Sequence, residues 1–131
     1  MDVVRADRRM SAFKATDAFA VDAYGIARWI KGGSAAGLAA EIRRTAVESG
    51  GAVVAASAAD AGGEQERRHL QRARAALIEG RYYLYLARRF GLLDLKRYRA
   101  LTLRQDAALR ELDAILRGPS ASIPEARPRG P

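Results

Sequence analysis

A chain of 131 residues is one domain's worth of sequence, and its lack of cysteine excludes disulfides and thiolate metal sites. Its 23 basic against 15 acidic side chains leave a formal net charge of +8, a balance that favours nucleic acid, anionic lipid or an acidic protein as partner. No apolar run approaches the roughly 20 residues needed to cross a bilayer, and MDVVRADRRM carries charge where an export signal needs an apolar stretch, so a cytoplasmic location is expected.

Lysine occurs only at Lys14, Lys31 and Lys96, so the surplus is almost all arginine. Arginine, alanine and glycine together are also what a GC-rich genome produces, which lowers the weight of the charge as a sign of nucleic-acid binding. In chain order, residues 1–10 are polar and unpatterned and are expected to form a flexible lead. Ser11 is the expected N-cap of a first helix from Ala12 to Lys31, with Phe19, Ala23, Ile26 and Ile30 as its apolar stripe. Phe13, Tyr24 and Trp29 lie to its sides, and Gly32 and Gly33 are expected to end it.

Ser34 is the expected cap of a second helix, from Ala35 to Ala59, whose face is Leu38, Ile42, Thr45, Ser49, Ala52 and Ala56. Gly50 and Gly51 at its middle cost about 1 kcal/mol each relative to alanine. They mark a kink, a close approach by a neighbouring backbone, or simple tolerance in an alanine-rich helix. A short turn over Asp60–Gly63 leads to a third helix from Glu64 to Phe90. There Leu70, Ala73, Leu77, Gly80, Leu84 and Ala87 share one side at helical spacing. Ile78, Tyr82, Tyr85 and Phe90 flank that stripe with more apolar surface than one core needs, which predicts a second surface to cover, in the fold or in another subunit.

Gly91 is the expected C-cap of the third helix and Asp94 the N-cap of a fourth, from Leu95 to Arg117. Leu95, Tyr98, Thr102, Gln105, Leu109, Leu112 and Leu116 make a heptad-like row there, widened by Leu101, Ala108 and Ile115. From Gly118 onward the chain holds all four prolines and is expected to be a disordered basic tail, residues 118–131. Four helices of roughly 20 to 27 residues joined by short turns predict an all-α, up-down-up-down antiparallel four-helix bundle over residues 11–117.

These residues carry a family likeness. Ile42-Arg43-Arg44-Thr45-Ala46-Val47 resembles the I-R-R-A-A-V segment of the bacterial four-helix bundle family that includes the 23S rRNA intervening-sequence proteins. The accessory variability determinants of diversity-generating retroelements are distant relatives within it. Ala73-Arg74-Ala75-Ala76-Leu77-Ile78-Glu79 looks like the family's A-R-G-S-L-x-E block, Ala87, Gly91 and Leu93 its A-x-x-x-G-x-L ending, and Phe13-Lys14 with Phe19 its F-K and aromatic start. The likeness spans about Phe13 to Leu116. The family's N-I-A-E-G is here Ala52-Val53-Val54-Ala55-Ala56, and the preceding proline is Gly50, as in a divergent branch nearer the retroelement accessory proteins. The resemblance implies a homopentamer and no known enzymatic activity, and no cofactor is expected. For the retroelement branch it implies binding to a reverse transcriptase and to nucleic acid; for the intervening-sequence branch, association with RNA.

The chemistry-bearing patterns are few. Glu66-x-x-His69 has the spacing of a carboxylate-bridged di-metal bundle, but His69 is the sole histidine and its neighbours are arginines. No metal site is therefore expected, and the pair reads as a solvated first turn. No serine pairs with His69 for nucleophilic catalysis, and no phosphate loop of the G-x-x-x-x-G-K-[ST] type occurs. Gly32-Gly33-Ser34 could take an anion at a helix start, although capping explains it more simply. From Glu64 to Phe90 seven arginines face three glutamates. Arg67, Arg68, Arg72, Arg74, Arg88 and Arg89 are the candidate phosphate contacts, with Arg43 and Arg44 next. Tyr82, Tyr83 and Tyr85 among them offer base stacking, or else fill the core or a subunit interface. A purely structural homo-oligomer whose charge only keeps it soluble is the rival expectation, favoured if the arginines pair with the fold's own acids and disfavoured by a continuous unpaired stripe.

Overall fold

The computed structural model describes residues 3–118. Among them are four helices and no strand: α1 (Val3–Ala27), α2 (Ala36–Ser57), α3 (Glu64–Arg89) and α4 (Leu95–Leu116). Each helix packs on the next and α1 also packs on α4, while the backbones of the diagonal pairs α1·α3 and α2·α4 stay apart. The four axes therefore stand at the corners of a square, antiparallel in sequence order, as expected. The tail lies outside the described residues apart from Gly118, as do Met1 and Asp2.

The helices form where period and punctuation agree. On α3, Leu70, Ala73, Leu77, Gly80, Leu84 and Ala87 are all buried, the row read from the sequence. The helix ends because Gly91 takes φ +74°, the left-handed region that glycine enters without a Cβ clash. Leu92 N–H then bonds Ala87 C=O at 2.8 Å and Gly91 N–H bonds Arg88 C=O at 3.1 Å, satisfying the last carbonyls of α3. Asp94 starts α4 as expected: its carboxylate accepts from Arg97 N–H at 2.8 Å. That bond, followed by the Arg97 guanidinium 2.6 Å away, holds the Asp94 carboxyl below the usual carboxylate range.

Three boundaries differ from expectation. First, α1 begins at Val3, not after Ser11, so residues 3–10 are helix rather than a flexible lead. Its first turns leave Val3, Val4 and Met10 exposed and are docked by charge: Arg5 and Arg9 both pair with Glu66 at the start of α3, the latter at 3.1 Å. Arg9 also donates to Ala56 C=O at 2.7 Å. Second, α1 ends at Ala27, and Trp29 N–H to Ile26 C=O at 3.0 Å and Ile30 N–H to Ala27 C=O at 3.1 Å wind the chain into a tighter turn before Gly32. Third, α2 is preceded by Ala35, with no side chain capping it, so Ser34 is not its cap.

The pair Gly50 and Gly51 leaves α2 unbroken. A Cβ at Gly50 would meet Ala20 Cβ at 3.8 Å, an ordinary contact, and one at Gly51 would meet nothing. Neither a kink nor a close approach requires them, and tolerance is the reading that holds. Gly51→Ala is accordingly expected to raise stability by about 0.5–1 kcal/mol, read as a higher urea midpoint with unchanged slope.

The core is a column of alanine, leucine and isoleucine with a few polar side chains buried in it. Ile42, Leu77, Leu84 and Leu112 are its largest fully enclosed apolar side chains. Thr16, Thr45, Ser49 and Gln105 are buried with them. Gln105 Nε2 donates to Leu77 C=O at 2.6 Å across the α3–α4 seam. On α4 the buried row is Leu101, Gln105, Ala108, Leu112 and Ile115, so the positions read as widening the stripe are its centre, while Leu95 is exposed.

Candidate nucleic-acid interface

Arginines on α3 sort by angle around the helix. Arg67, Arg74, Arg81 and Arg88 recur every seven residues and fall on the flank that meets α4. Arg67 Nη2 donates to Leu116 C=O at 2.6 Å, Arg74 Nε to Asp113 at 2.7 Å, and Arg81 Nη2 to Asp106 at 2.6 Å. Arg88 Nη1 donates to Leu93 C=O at 3.4 Å. Since α3 and α4 run antiparallel, each step up one helix is a step down the other: Arg67, Arg74 and Arg81 form rungs across the seam, and Arg88 closes on the loop that joins the two helices. The seven-residue spacing is visible in the sequence; that its partners across the seam are Asp106, Asp113 and Leu116 C=O is not, because pairing across a seam depends on the relative height of two helices.

On the other flank of α3 a second cluster joins it to α2. Arg44 bonds Glu79 at 2.6 Å, Glu41 at 3.0 Å and Glu48 at 3.4 Å. Tyr83 OH donates to the same Glu79 oxygen at 2.7 Å. The carboxylates around it push the Arg44 pKa up, with Glu41 the largest cause. Glu41 is held below the usual carboxylate range chiefly by Arg44, and Glu79 chiefly by the Tyr83 hydroxyl and then by Arg44. The hydrogen bond to Glu79 raises the Tyr83 phenol to about 12. Because its folded value lies above that of a free phenol, near ~10, the support from neutral Tyr83 is complete below that value and is lost as pH rises through about 12. Tyr83→Phe is expected to remove a late phenolate step from an ultraviolet titration of the protein.

The eight nominated arginines thus do not form one stripe. Arg44, Arg68 and Arg74 pair with carboxylates, Arg67 and Arg88 with backbone carbonyls, and Arg89 with Tyr85 OH at 2.9 Å. Arg43 and Arg72 hold no ion pair among the described residues and lie on different helices. Most exposed pairs of this kind contribute little, about 0.2–1 kcal/mol; they hold Arg44, Arg67 and Arg74 along the helix seams, while Arg68 and Arg89 pair within the exposed surface of α3. The first turn of α3 is not solvated at Glu66, which is buried at 1% exposure: Arg5, Arg9 and the Gly62 N–H, at 3.0 Å, enclose it. Among the described residues no group of three or more potential ligands could hold a metal ion.

One outward line of α3 is apolar and aromatic over its middle. Gln71, Ala75, Ile78, Tyr82, Tyr85 and Arg89 follow at steps of four and three along one exposed line. Tyr82 and Tyr85 stack at 6.4 Å between ring centroids, tilted by 26°, and the Arg89 guanidinium lies 5.8 Å from the Tyr85 ring. The two exposed tyrosines are therefore not core residues of this chain, whereas Tyr83 is half-buried and committed to Glu79. Among the described residues no helix is long and apolar enough to cross a membrane. No family model, no curated protein and no solved structure matches the chain.

Proposed function

We propose that this chain is a non-catalytic, self-associating four-helix bundle adaptor that binds nucleic acid, or a nucleic-acid enzyme such as a reverse transcriptase, through arginine-bearing surface. The observation that carries the reading is the cationic surplus left after internal pairing. Arg28, Lys31, Arg43, Arg72, Arg99 and Arg110 have no carboxylate partner among the described residues, against a chain total of +8. Such a surface holds phosphates without reading sequence and weakens steeply with salt. The exposed Tyr82–Tyr85 pair beside Arg89 supports the same reading for single strands, since stacked bases need an accessible ring. The apolar line on α3 supports self-association; a homopentamer follows from the family likeness of Ile42–Val47 and Ala73–Glu79. Fluorescence anisotropy at low salt, with mixed-sequence RNA and DNA and an acidic polypeptide as control, tests the binding. No rise for either nucleic acid refutes it. A light-scattering mass of one 14.2 kDa unit at micromolar concentration refutes the assembly.

A second reading is favoured by the rungs. Six of the eight nominated arginines are engaged within the fold, as expected of a purely structural homo-oligomer whose charge serves solubility. Assembly without nucleic-acid binding would select it.

A further inference from the structure

At the end of the bundle where α1 hands over to α2 and α3 to α4, a cavity of about 580 Å³ opens between the two loops. Its walls are Leu38, Leu86, Phe90 and Leu92, and its polar rim is Lys31, Ser34, Glu41 and Tyr83. We propose that this cavity binds a small amphipathic carboxylate, whose apolar body lies on the four walls and whose head meets Lys31, Ser34 and the first turn of α2. The size and the mostly apolar lining with a few convergent polar groups are those of a small-molecule site.

The sign of the head group follows from which polar groups are already committed. Both Glu41 oxygens are taken by Arg44, at 3.0 and 3.3 Å, so its charge is compensated in place. Tyr83 donates its hydroxyl hydrogen bond to Glu79. Ser34 has no hydrogen-bond partner among the described residues, and Lys31 has only a loose approach to the Trp29 ring, 6.0 Å from its centroid. The amides opening α2 receive no side-chain cap. Every uncommitted group at the rim is thus a donor or a cation, which selects an anion and rejects an amine. The apolar walls reject a small, fully hydrated ion: Phe90 is 67% exposed, and only an apolar body would cover it. This site is independent of the nucleic-acid reading, since none of the nominated arginines lines it.

The test is a titration of the full, isotope-labelled chain with octanoate, 1-octanol and octylammonium, followed by amide chemical shifts. Octanoate is expected to give saturable shifts in the segments 31–41 and 83–92, with octanol and octylammonium about tenfold weaker or worse. Lys31→Glu is expected to weaken octanoate by about tenfold or more. Gly37 also lines the cavity and has open space around a Cβ, so Gly37→Phe is expected to put its ring into the cavity and to abolish the shifts. Unchanged thermal midpoints confirm that both variants fold; if Gly37→Phe does not, Leu86→Ala, which strips one wall, replaces it and is expected to weaken octanoate. Equal binding of the three probes, no saturable shift through the millimolar range, or binding indifferent to Lys31→Glu and to the cavity variant overturns the proposal.

Discussion

Glu66→Ala is expected to destabilise the protein by about 3–5 kcal/mol, because it strands the Arg5 and Arg9 guanidinium groups against the α2–α3 turn without their counter-charge. In a domain of this size that lowers the thermal midpoint by about 12–20 °C. Glu66→Gln keeps the shape and the bond from Gly62 N–H and is expected to cost less than alanine. The loss is local before it is global: hydrogen exchange in residues 3–10 of α1 is expected to speed up first, since the ion pairs are what dock that polar stretch. A solvated first turn, the reading that the sequence alone favours, predicts no measurable change for either substitution.

The second large effect is at Gly80. A Cβ there would lie 2.9 Å from Thr45 Oγ1 and 3.4 Å from Thr45 Cβ, with Gln105 Nε2 at 3.9 Å. Thr45 is buried, β-branched and bonded by its hydroxyl to Glu41 C=O at 3.0 Å, so it has little room to turn away. Gly80→Val is expected to cost about 3 kcal/mol, at the upper end of overpacking effects and despite valine's better helix propensity. Denaturant curves for Gly80→Ala, Thr45→Ala and the pair are expected to show a favourable coupling of about 1 kcal/mol, the smaller residue at 45 making space for the methyl at 80. Additive effects would mean that the two helices do not meet there.

How much of this was legible depends on how far each cause lies along the chain. The α3 row, the stop at Gly91 and the Asp94 cap are local, and each is written in residues within a turn of where it acts. The start of α1 is not local. Asp7, Arg8 and Arg9 look like a solvated lead until Glu66, some sixty positions on, supplies the partner. Ser11 and Ser34 have the composition of caps, but α1 has already begun before the first, and Ala35 intervenes before α2. On the candidate interface, counting charge on α3 found the arginines but not their direction. The destinations of Arg67, Arg74 and Arg81 depend on Leu116 C=O, Asp113 and Asp106, which sit on the neighbouring helix. The outward line from Gln71 to Arg89 was partly visible as excess apolar surface, and the cavity beside Phe90 was not, because two separate loops build it.

The arginine rungs also decide where this molecule breathes. Teeth of leucine would lock α4 to α3 at short range; extended guanidinium arms hold it at reach, and a groove of about 710 Å³ runs beside Arg74 and Asp113. Arms can be re-hydrated one at a time, each for a small penalty. The seam is therefore expected to gape transiently while α4, packed on α1 and with its Leu101, Leu112 and Ile115 in the core, stays in place. Electrolyte, which screens such arms, works as a lubricant for that motion without dissolving the fold.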